Sequence, residues 1–556
     1  MSLNVYSNQN IETLSTTKQW KALLHINENN ISEISDINFY ISKQINSKVE
    51  IETLLKEKSC ENICKHPAKY KYLSDNLDLN ISFEHCEDLQ SFLKDSRGKT
   101  ASLVFASSFL GSPTSYFGHT FIKINKPKNT YFSQTISYAA EMPQNTGLVD
   151  LISKGIGGGF VGKYVASPYF KIIEGYNIVE QRTLYEYELD LTKDEIETML
   201  WHSYEMLNTN IPYKFFTENC AYEIFWLLDV ARPNGHLREK LKTYVIPYET
   251  IETLKKENMV KNFRIREPLI EKLYTIYNTL SSEEKEFFTT WKESETKEKD
   301  LNNTQFSQQS KNKLSELING HYDILFKKFR TSKADFYDVK KIPFQRTIID
   351  KNDDFEPKKS HKISLGTIKK DNESGQILNF RPVLFDRFEE RDNKLSEATL
   401  EFLNIGLTQF DNNIKLENFD IVKMESLNKR FDFYTPASWR FYAGANRSYE
   451  TNNLEAVLEF GMGLTKGNEF ISVYGMGQVA IYPFITSANF QALGGASLWL
   501  DKLHLNFDYK ETFKDGMKPK DEQKLSLFYP INKSFSLKLS NELKQKEKII
   551  ALEYRF

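Results

Sequence analysis

The sequence predicts a multidomain protein of mixed α+β and all-β class that ends in an antiparallel transmembrane β-barrel of about 12 strands. Apolar residues recur at helix spacing near the N-terminus, and strands alternate with helices after that. From about residue 360, short alternating segments follow one another to the C-terminus. We predict a helical N-terminal domain (1–95), an α+β domain (96–261), a charged helical connector (262–345) and the barrel (346–556).

Composition excludes some classes of function. The net charge is −2, from 73 basic and 75 acidic residues, and it gives no basis for a nucleic-acid partner. No apolar run reaches the roughly 18 residues that a transmembrane helix needs. Met1 to Tyr6 show neither the basic nor the apolar region of a signal peptide. The expected location therefore rests on the barrel alone.

Three of the four cysteines lie in the helical N-terminal domain, near two histidines. Cys60, Cys64, His66, His85 and Cys86 form this cluster. Their spacing fits no common zinc pattern, so we expect no metal. In an exported protein, a disulfide from Cys64 or Cys60 to Cys86 is the favoured alternative.

The α+β domain begins with strands. Thr100–Ala106 is an apolar run, and the alternating segments Phe117–Ile124 and Tyr131–Tyr138 can pair as a hairpin. His119 shares a strand face with Phe121 in this pattern. A lone histidine on a strand usually has a structural role, so a catalytic role for His119 depends on which side chains lie near it in the folded protein.

Cys220 stands alone at the start of an apolar helix, in Phe215–Leu228. Thr217 or Asn219 can cap this helix with a side-chain oxygen. A thiol at a helix N-terminus is expected to have a lowered pKa, which favours the nucleophilic thiolate. The alternative is an inert buried cysteine, which is the commoner fate of an unpaired thiol.

A glycine-rich run, Gly155–Gly162, formally contains GxGxxG but follows no apolar strand. We therefore expect no dinucleotide, and no other cofactor. Glycines at this place allow a mobile loop or a close approach of the backbone to substrate.

The C-terminal segments alternate with the period of a strand. In Leu503–Phe513, Leu, Phe and Tyr occupy one face and His, Asn, Asp and Lys the other, and Ile549–Phe556 repeats the scheme. Segments of about 10 residues separated by polar turns are typical of a transmembrane barrel. A soluble β-sandwich is the alternative, and segment length together with the continuous series of hairpins favours the barrel.

The motifs around His119 and Cys220 together resemble the bacterial Lnb N-terminal periplasmic domain family. The resemblance covers roughly residues 15–260 and rests on five motifs, which are, in chain order, Lys65–Tyr70, Ser112–Phe121, the glycine run, Phe215–Tyr222 and Tyr244–Pro247. Many members of the family combine such a domain with an outer-membrane barrel. The family in turn resembles circularly permuted, papain-like NlpC-type domains and the lecithin:retinol acyltransferases, in which the histidine precedes an Asn-Cys motif.

The resemblance implies that Cys220 is a nucleophile and His119 its base. Ser137 or Tyr138 is the candidate for a third residue that orients the histidine, although relatives more often carry Asn at the position of Ser137. We expect substrate contacts from residues of the motifs, namely Tyr116, Gly118, Gly158, Gly159 and Asn219. A thiolate beside an imidazole attacks a carbonyl and forms a thioester, which water, an amine or a hydroxyl then resolves.

Several functions fit this chemistry. The protein is expected to be an outer-membrane-anchored cysteine acyltransferase or hydrolase that acts on lipid or lipoprotein acyl groups. A cell-wall peptidase or amidase of the NlpC type, and a non-enzymatic barrel protein with a degenerate domain, are the alternatives. The expected partners are outer-membrane lipid and a phospholipid, lipoprotein or peptidoglycan substrate. We expect a monomer whose cysteine domain lies in the periplasm.

Overall fold

The computed structural model divides the chain into two compact units, Met1–Pro357 and Lys358–Phe556. The residues it describes are 8–27, 29–110, 117–127, 130–143, 150, 154–155, 157–241, 244–293, 301, 304–329, 359–371, 373–389, 393–448, 451–484, 487–514 and 516–556. No helix in this part of the chain has both the length and the apolar composition needed to cross a bilayer.

The first unit begins with six helices, as the apolar spacing predicted. They are α1 (Asn8–Thr16), α2 (Lys18–Leu23), α3 (Ser47–Lys56), α4 (Cys60–Lys65), α5 (Pro67–Leu77) and α6 (Glu87–Asp95), with a 3₁₀ turn at Ile37–Phe39. Side chains that accept amide protons of the first turn start α2, α3 and α4, from Thr17, Asn46 and Ser59 respectively. Trp20 is fully buried beneath them.

One disulfide joins α4 to the residue before α6. It links Cys64 to Cys86, while Cys60 is a free, exposed thiol. The structure thus decides between the two pairings that the sequence left open. It also uses two of the three sulfurs of the cluster, which are then not available as thiolate ligands for zinc.

A seven-stranded antiparallel sheet follows the helices. Its strands are β1 (Thr100–Ala106), β2 (His119–Asn125), β3 (Gln134–Glu141), β4 (Phe160–Pro168), β5 (Leu184–Leu189), β6 (Ile211–Tyr213) and β7 (Val260–Arg266). They are arranged in the order β6-β4-β3-β2-β1-β5-β7. The predicted hairpin is present, with Phe121 of β2 opposite Ser137 of β3. Since β7 pairs with β5, the sheet continues past the predicted boundary at residue 261.

Helices connect and extend this sheet. They are α7 (Tyr169–Ile172), which continues into a π-helical turn (Ile173–Val179), α8 (Lys193–Met206), α9 (Cys220–Ala231), α10 (Pro247–Lys256), α11 (Leu269–Asn278), α12 (Ser282–Glu293) and α13 (Gln308–Phe329), with 3₁₀ turns at Thr130–Phe132 and Arg238–Lys240. A capping box starts α8, because Thr192 and Glu195 each bond the other's backbone N–H. Phe121 packs against Tyr169 and Ile173 on one face of the sheet. Thr120, next to it along β2, contacts α9 on the other face.

The second unit is a closed antiparallel barrel. Its strands are β8 (Lys362–Lys370), β9 (Glu373–Arg381), β10 (Val383–Phe385), β11 (Ser396–Phe410), β12 (Asn413–Arg430), β13 (Ser438–Arg447), β14 (Leu454–Gly467), β15 (Ile471–Tyr482), β16 (Ser487–Leu500), β17 (Leu503–Phe513), β18 (Lys520–Pro530), β19 (Phe535–Glu542) and β20 (Glu547–Arg555). Each of β11 to β19 pairs with the next, β20 pairs with β8, β8 pairs with β9, and β9 pairs with β11. Because β10 extends β9 along β11, the ring has 12 strands, as predicted.

The barrel is apolar outside and polar inside. Along β15, exposed Val473 and Val479 alternate with buried Ser472 and Gln478. Many of its buried residues are charged, among them Lys362, Arg381, Arg387, Glu397, Lys429 and Glu553. A soluble sandwich would bury its apolar face, so the inverted pattern indicates a barrel surrounded by lipid. The chain thus carries a membrane-spanning barrel of the outer-membrane type.

The disulfide makes a testable contribution to stability. It closes a loop with a sequence separation of 22, so loop-closure entropy predicts that Cys64→Ser/Cys86→Ser lowers the free energy of unfolding by about 3 kcal/mol. Urea unfolding of the full chain, followed by the helical circular dichroism signal, measures this loss. Cys60→Ser is the matched control and should leave the midpoint unchanged. Equal midpoints for all three proteins would contradict the assignment.

Candidate active site around Cys220

Asn219 fixes the start of α9. Its Oδ1 accepts hydrogen bonds from the N–H groups of Ala221 at 3.0 Å and Tyr222 at 3.3 Å. Its Nδ2 donates to the backbone carbonyls of Phe215 at 3.0 Å and Val245 at 2.6 Å. The side chain is therefore a cap and a brace between two loops. With its amide committed to the backbone, Asn219 positions the helix, and the geometry gives no support for the predicted substrate contact.

Cys220 is the first residue of α9 and is 2 % exposed. The hydroxyl of Thr120 donates to its sulfur across 3.8 Å. Burial raises the pKa of the thiol, and hydrogen bonds from Thr120, Tyr213 and the Ala221 amide only partly oppose that rise. The expectation that the helix dipole lowers this pKa is thus wrong for the free protein, because desolvation of a buried thiolate is the larger effect.

His119 lies at the start of β2, opposite Ala106 of β1, and is 8 % exposed. Its ring packs against Phe121, with centroids 6.1 Å apart, and against Tyr176, at 5.9 Å. Burial, and secondly the positive charge of Arg182, lowers the pKa of His119 to about 3. The imidazole is therefore neutral at physiological pH.

The structure brings His119 and Cys220 to the same end of β2. Thr120, which follows His119 directly, contacts the sulfur. Tyr176 packs on the histidine ring, and burial raises the pKa of its phenol to about 12, with a smaller contribution from a negative charge on Cys220. The imidazole shares a face of β2 with Phe121, whereas Thr120 points to the opposite face. The thiol of Cys220 and the imidazole of His119 thus lie near the same end of β2 but on opposite faces of the strand, and Tyr176 interacts with both.

The two candidates for a third catalytic residue lie on different faces of β3. Ser137 stands opposite Phe121 and so shares the face of His119. Tyr138 points the other way, where its hydroxyl donates to the carbonyls of Ile211 at 3.1 Å and Pro212 at 3.3 Å. Tyr138 therefore braces the strand beside α9 and cannot orient the histidine, which is a correction to that alternative. Ser137 remains a prediction.

The glycines predicted to touch substrate have backbone roles. Gly118 and Gly158 have φ of +83° and +79°, in the left-handed region that favours glycine. A Cβ on Gly118 would lie 2.4 Å from the ring of Phe105, and one on Gly159 would lie 2.9 Å from the side chain of Lys154. Substrate contacts by these glycines stay predictions. Tyr116, predicted in the same group, lies outside the described residues.

Other residues of the site carried weaker sequence signals. Arg182 is 1 % exposed, donates to the carbonyls of Ser107 and Ala106, and stacks over Tyr176 at 4.5 Å. It reaches the site only through tertiary packing, so no local pattern could reveal it. Thr120 could have been found, because the residue after a strand histidine must occupy the other face.

A buried carboxyl lies one turn behind the thiol. Glu223 is fully buried, and its carboxylate accepts a hydrogen bond from Tyr164 at 2.9 Å. Burial, together with the charge of Glu33, raises the pKa of Glu223 to about 8. Glu223 is thus mainly protonated near neutral pH and places little negative charge beside the thiol.

Aromatic rings surround the start of α9. Phe117 and Phe216 meet edge to face at 5.2 Å, and Phe215 stacks on Phe160 at 6.0 Å. Tyr213 contacts Phe215 edge to face at 5.9 Å. The rings of Phe117, Phe215 and Phe216 are only partly buried. The chain thus offers an apolar surface close to the thiol.

Comparison with known families supports the resemblance that the motifs suggested. Residues 88–257 match the family described as Lnb N-terminal periplasmic domain. Two families described as domains of unknown function match residues 352–553 (DUF7840) and 12–76 (DUF7843). The comparison with curated proteins returned no match.

Comparison with solved structures returned porins and another outer-membrane protein. They include a KdgM porin at 9 % identity, covering 35 % of this chain and 99 % of that one with a TM-score of 0.23. A NanC porin follows at 8 % identity, with the same coverages and TM-score. The Acinetobacter baumannii outer membrane protein Omp33 has 11 % identity, covering 36 % of this chain and 98 % of that one with a TM-score of 0.19.

The cap at Asn219 can be tested through the thiol it positions. Loss of an N-cap costs about 1–2 kcal/mol, which corresponds to roughly a 5–30-fold rise in the open population of the helix start. In a Cys60→Ser background, Asn219→Ala should therefore raise the rate of Cys220 alkylation by about that factor. Asn234→Ala, at an exposed position, is the matched control and should leave the rate unchanged. An unchanged rate in Asn219→Ala would refute the bracing role.

The neutral state of the pair predicts a pH profile. Since burial raises the pKa of the Cys220 thiol, the thiolate forms only above the pH range in which an unperturbed cysteine ionises. Alkylation of Cys220 by iodoacetamide in Cys60→Ser should rise about tenfold per pH unit between pH 7 and 9 without a plateau. His119→Gln should preserve this slope, because the imidazole stays neutral until the pH falls towards 3. A plateau near neutral pH would indicate a thiolate–imidazolium pair instead.

Proposed function

We propose that this chain, which joins an Lnb-type periplasmic domain to a membrane-spanning barrel, is a membrane-anchored cysteine acyltransferase or hydrolase with Cys220 as nucleophile and His119 as base. The observation that carries the proposal is the buried thiol at the capped start of α9, in contact with the residue that follows His119. The barrel keeps the domain at the membrane, where acyl esters are concentrated.

The reaction has two steps with one covalent intermediate. His119 takes the proton of the Cys220 thiol, and the sulfur attacks the carbonyl carbon of an acyl ester. The imidazolium returns its proton to the departing alcohol, which leaves an acyl thioester on Cys220. An amine or water then attacks the thioester, and His119 moves the proton from that nucleophile to the released thiol. The products are an amide or a free acid.

The negative charge on the carbonyl oxygen needs donors that are already in place. The backbone amide of Cys220 lies at the positive end of α9, and the hydroxyls of Thr120 and Tyr213 lie at the sulfur. Such donors are already oriented, so little reorganisation energy is needed when the oxyanion forms. They also favour the thiolate once the proton has moved to His119.

The neutral state of Cys220 and His119 in the free protein is consistent with a reaction that begins only after substrate binds. Both groups are desolvated, so charge separation before binding is unfavourable. Because the imidazole and the sulfur lie on opposite faces of β2, the proposal requires a local rearrangement at the start of this strand that brings His119 to the sulfur. We propose that substrate binding accompanies this change, which would keep the thiol unreactive until an acyl group arrives.

Acyl chains fit the surroundings of Cys220 better than cell-wall peptides do. The partly exposed rings of Phe117, Phe215 and Phe216 offer apolar surface. A peptide of the cell wall would require charged or polar partners at the thiol, and Glu223 nearby is mainly neutral. Lipid or lipoprotein acyl groups are therefore the proposed substrate, and hydrolysis of cell-wall peptide remains the second outcome of the test.

The proposal predicts an acyl adduct on one residue. The wild-type protein, incubated with phospholipid vesicles and a lipopeptide acceptor, should release lysophospholipid and gain one acyl mass on Cys220. Cys220→Ser should lose the thioester and lower turnover by at least about 10³-fold, while keeping the same circular dichroism. His119→Gln should lose a similar factor, and Cys60→Ser should match the wild type.

Two outcomes would contradict the proposal. Full turnover in Cys220→Ser would end the nucleophile assignment. Cleavage of murein peptides by wild type but not by Cys220→Ser, with no lysophospholipid formed, would retain the dyad and replace the lipid substrate by cell-wall peptide.

A further inference from the structure

A short segment between β10 and β11 lies inside the barrel. It comprises Asp386–Glu389, and its three charged residues are 6–8 % exposed. In a barrel with polar walls, loops that join strands usually stand at the rim. This segment instead places two carboxylates, a guanidinium and an aromatic ring among the side chains of the lumen.

Arg387 bonds two strands that are far apart around the barrel. Its Nη2 donates to both carboxylate oxygens of Asp508 on β17, at 2.5 and 2.6 Å. Its Nη1 donates to Glu425 on β12 at 2.7 Å. In the ring of 12, β17 is the sixth strand from β11, so the guanidinium reaches the wall directly opposite the strand that its own segment enters.

The other residues of the segment bind further parts of the wall. Asp386 accepts from Lys362 on β8 at 2.6 Å, and Glu389 accepts from Arg381 on β9 at 2.7 Å. Phe388 lies under the ammonium of Lys538 on β19, at 4.8 Å from the ring centroid. With Arg387, the segment contacts strands distributed around the circumference of the barrel.

These buried ion pairs hold Asp386–Glu389 in place inside the barrel. Charge-assisted hydrogen bonds from one guanidinium to two carboxylates fix geometry as well as charge, and removing a buried partner leaves the other charges uncompensated. A 12-stranded barrel is wider than the 8-stranded kind that its own side chains fill. Here a cavity of about 480 Å³ remains beside the segment, lined by Asp386, Arg387 and Phe388 among other residues.

We propose that Asp386–Glu389 is an internal strap that closes the barrel to hydrated solutes, with the Arg387–Asp508 pair as its cross-lumen tie. The barrel then acts as a closed anchor for the rest of the chain and does not conduct. Release of the tie would let the strap leave the centre of the lumen and open a water-filled path. This inference is independent of the chemistry at Cys220.

The test compares solute permeability of full-length proteins in liposomes. Wild type should give swelling rates in a monosaccharide close to those of protein-free liposomes. Arg387→Ala should raise the rate several-fold, because both Glu425 and Asp508 lose their common cation. Heat-modifiable migration in gels confirms for each variant that the barrel is folded and inserted.

A matched control separates the strap from the loss of lumen volume. Arg440→Ala removes the same side chain from the same cavity, but Arg440 donates to Glu459 of the neighbouring strand, at 3.4 Å, and not to the opposite wall. It should leave the swelling rate unchanged. The exchange Arg387→Asp/Asp508→Arg rebuilds an ion pair across the lumen and should bring the rate back towards wild type.

Three results would overturn the proposal. They are rapid swelling with wild type, an unchanged rate with folded Arg387→Ala, and equal increases for Arg387→Ala and Arg440→Ala.

Discussion

The hydrogen bonds of the Asn219 side chain are the constraint on which the candidate site depends. One amide caps α9 and also binds the carbonyls of Phe215 and Val245, so it fixes where the helix starts and which loops flank it. Because Cys220 is the next residue, this brace sets the position of the sulfur against Thr120. A cap that bound only its own helix would not determine that position, since both loops could then move independently.

Burial then decides the chemical state of the site. The thiol, the imidazole of His119 and the carboxyl of Glu223 all lie out of water, and desolvation is the largest influence on the pKa of each. All three shifts favour the neutral form. An acyl chain can enter such a place without displacing strongly hydrated ions, which is the physical reason that we favour a lipid substrate.

The barrel has the opposite distribution of side chains, because lipid surrounds its outer surface and the polar groups face the lumen. Its apolar side chains face outwards, and buried charges such as Arg387, Glu425 and Asp508 form ion pairs within the lumen. Arg387 resembles Asn219 in one respect: a single side chain ties together pieces of structure that are far apart in sequence. In each case a planar group that forms several hydrogen bonds supplies specificity that apolar packing alone would not.

The sequence alone determined the order of the parts, the β2–β3 hairpin and a barrel of 12 strands, because these follow from local periodicity and turn chemistry. It also singled out the His119 and Cys220 motifs. It did not determine that Cys64 pairs with Cys86, that Tyr138 turns away from His119, or that Arg182 reaches the site. Those features depend on strand faces and on burial, which arise only when distant segments pack. The raised pKa of Cys220 has the same origin: the helix dipole is local, but the desolvation that outweighs it comes from the whole fold.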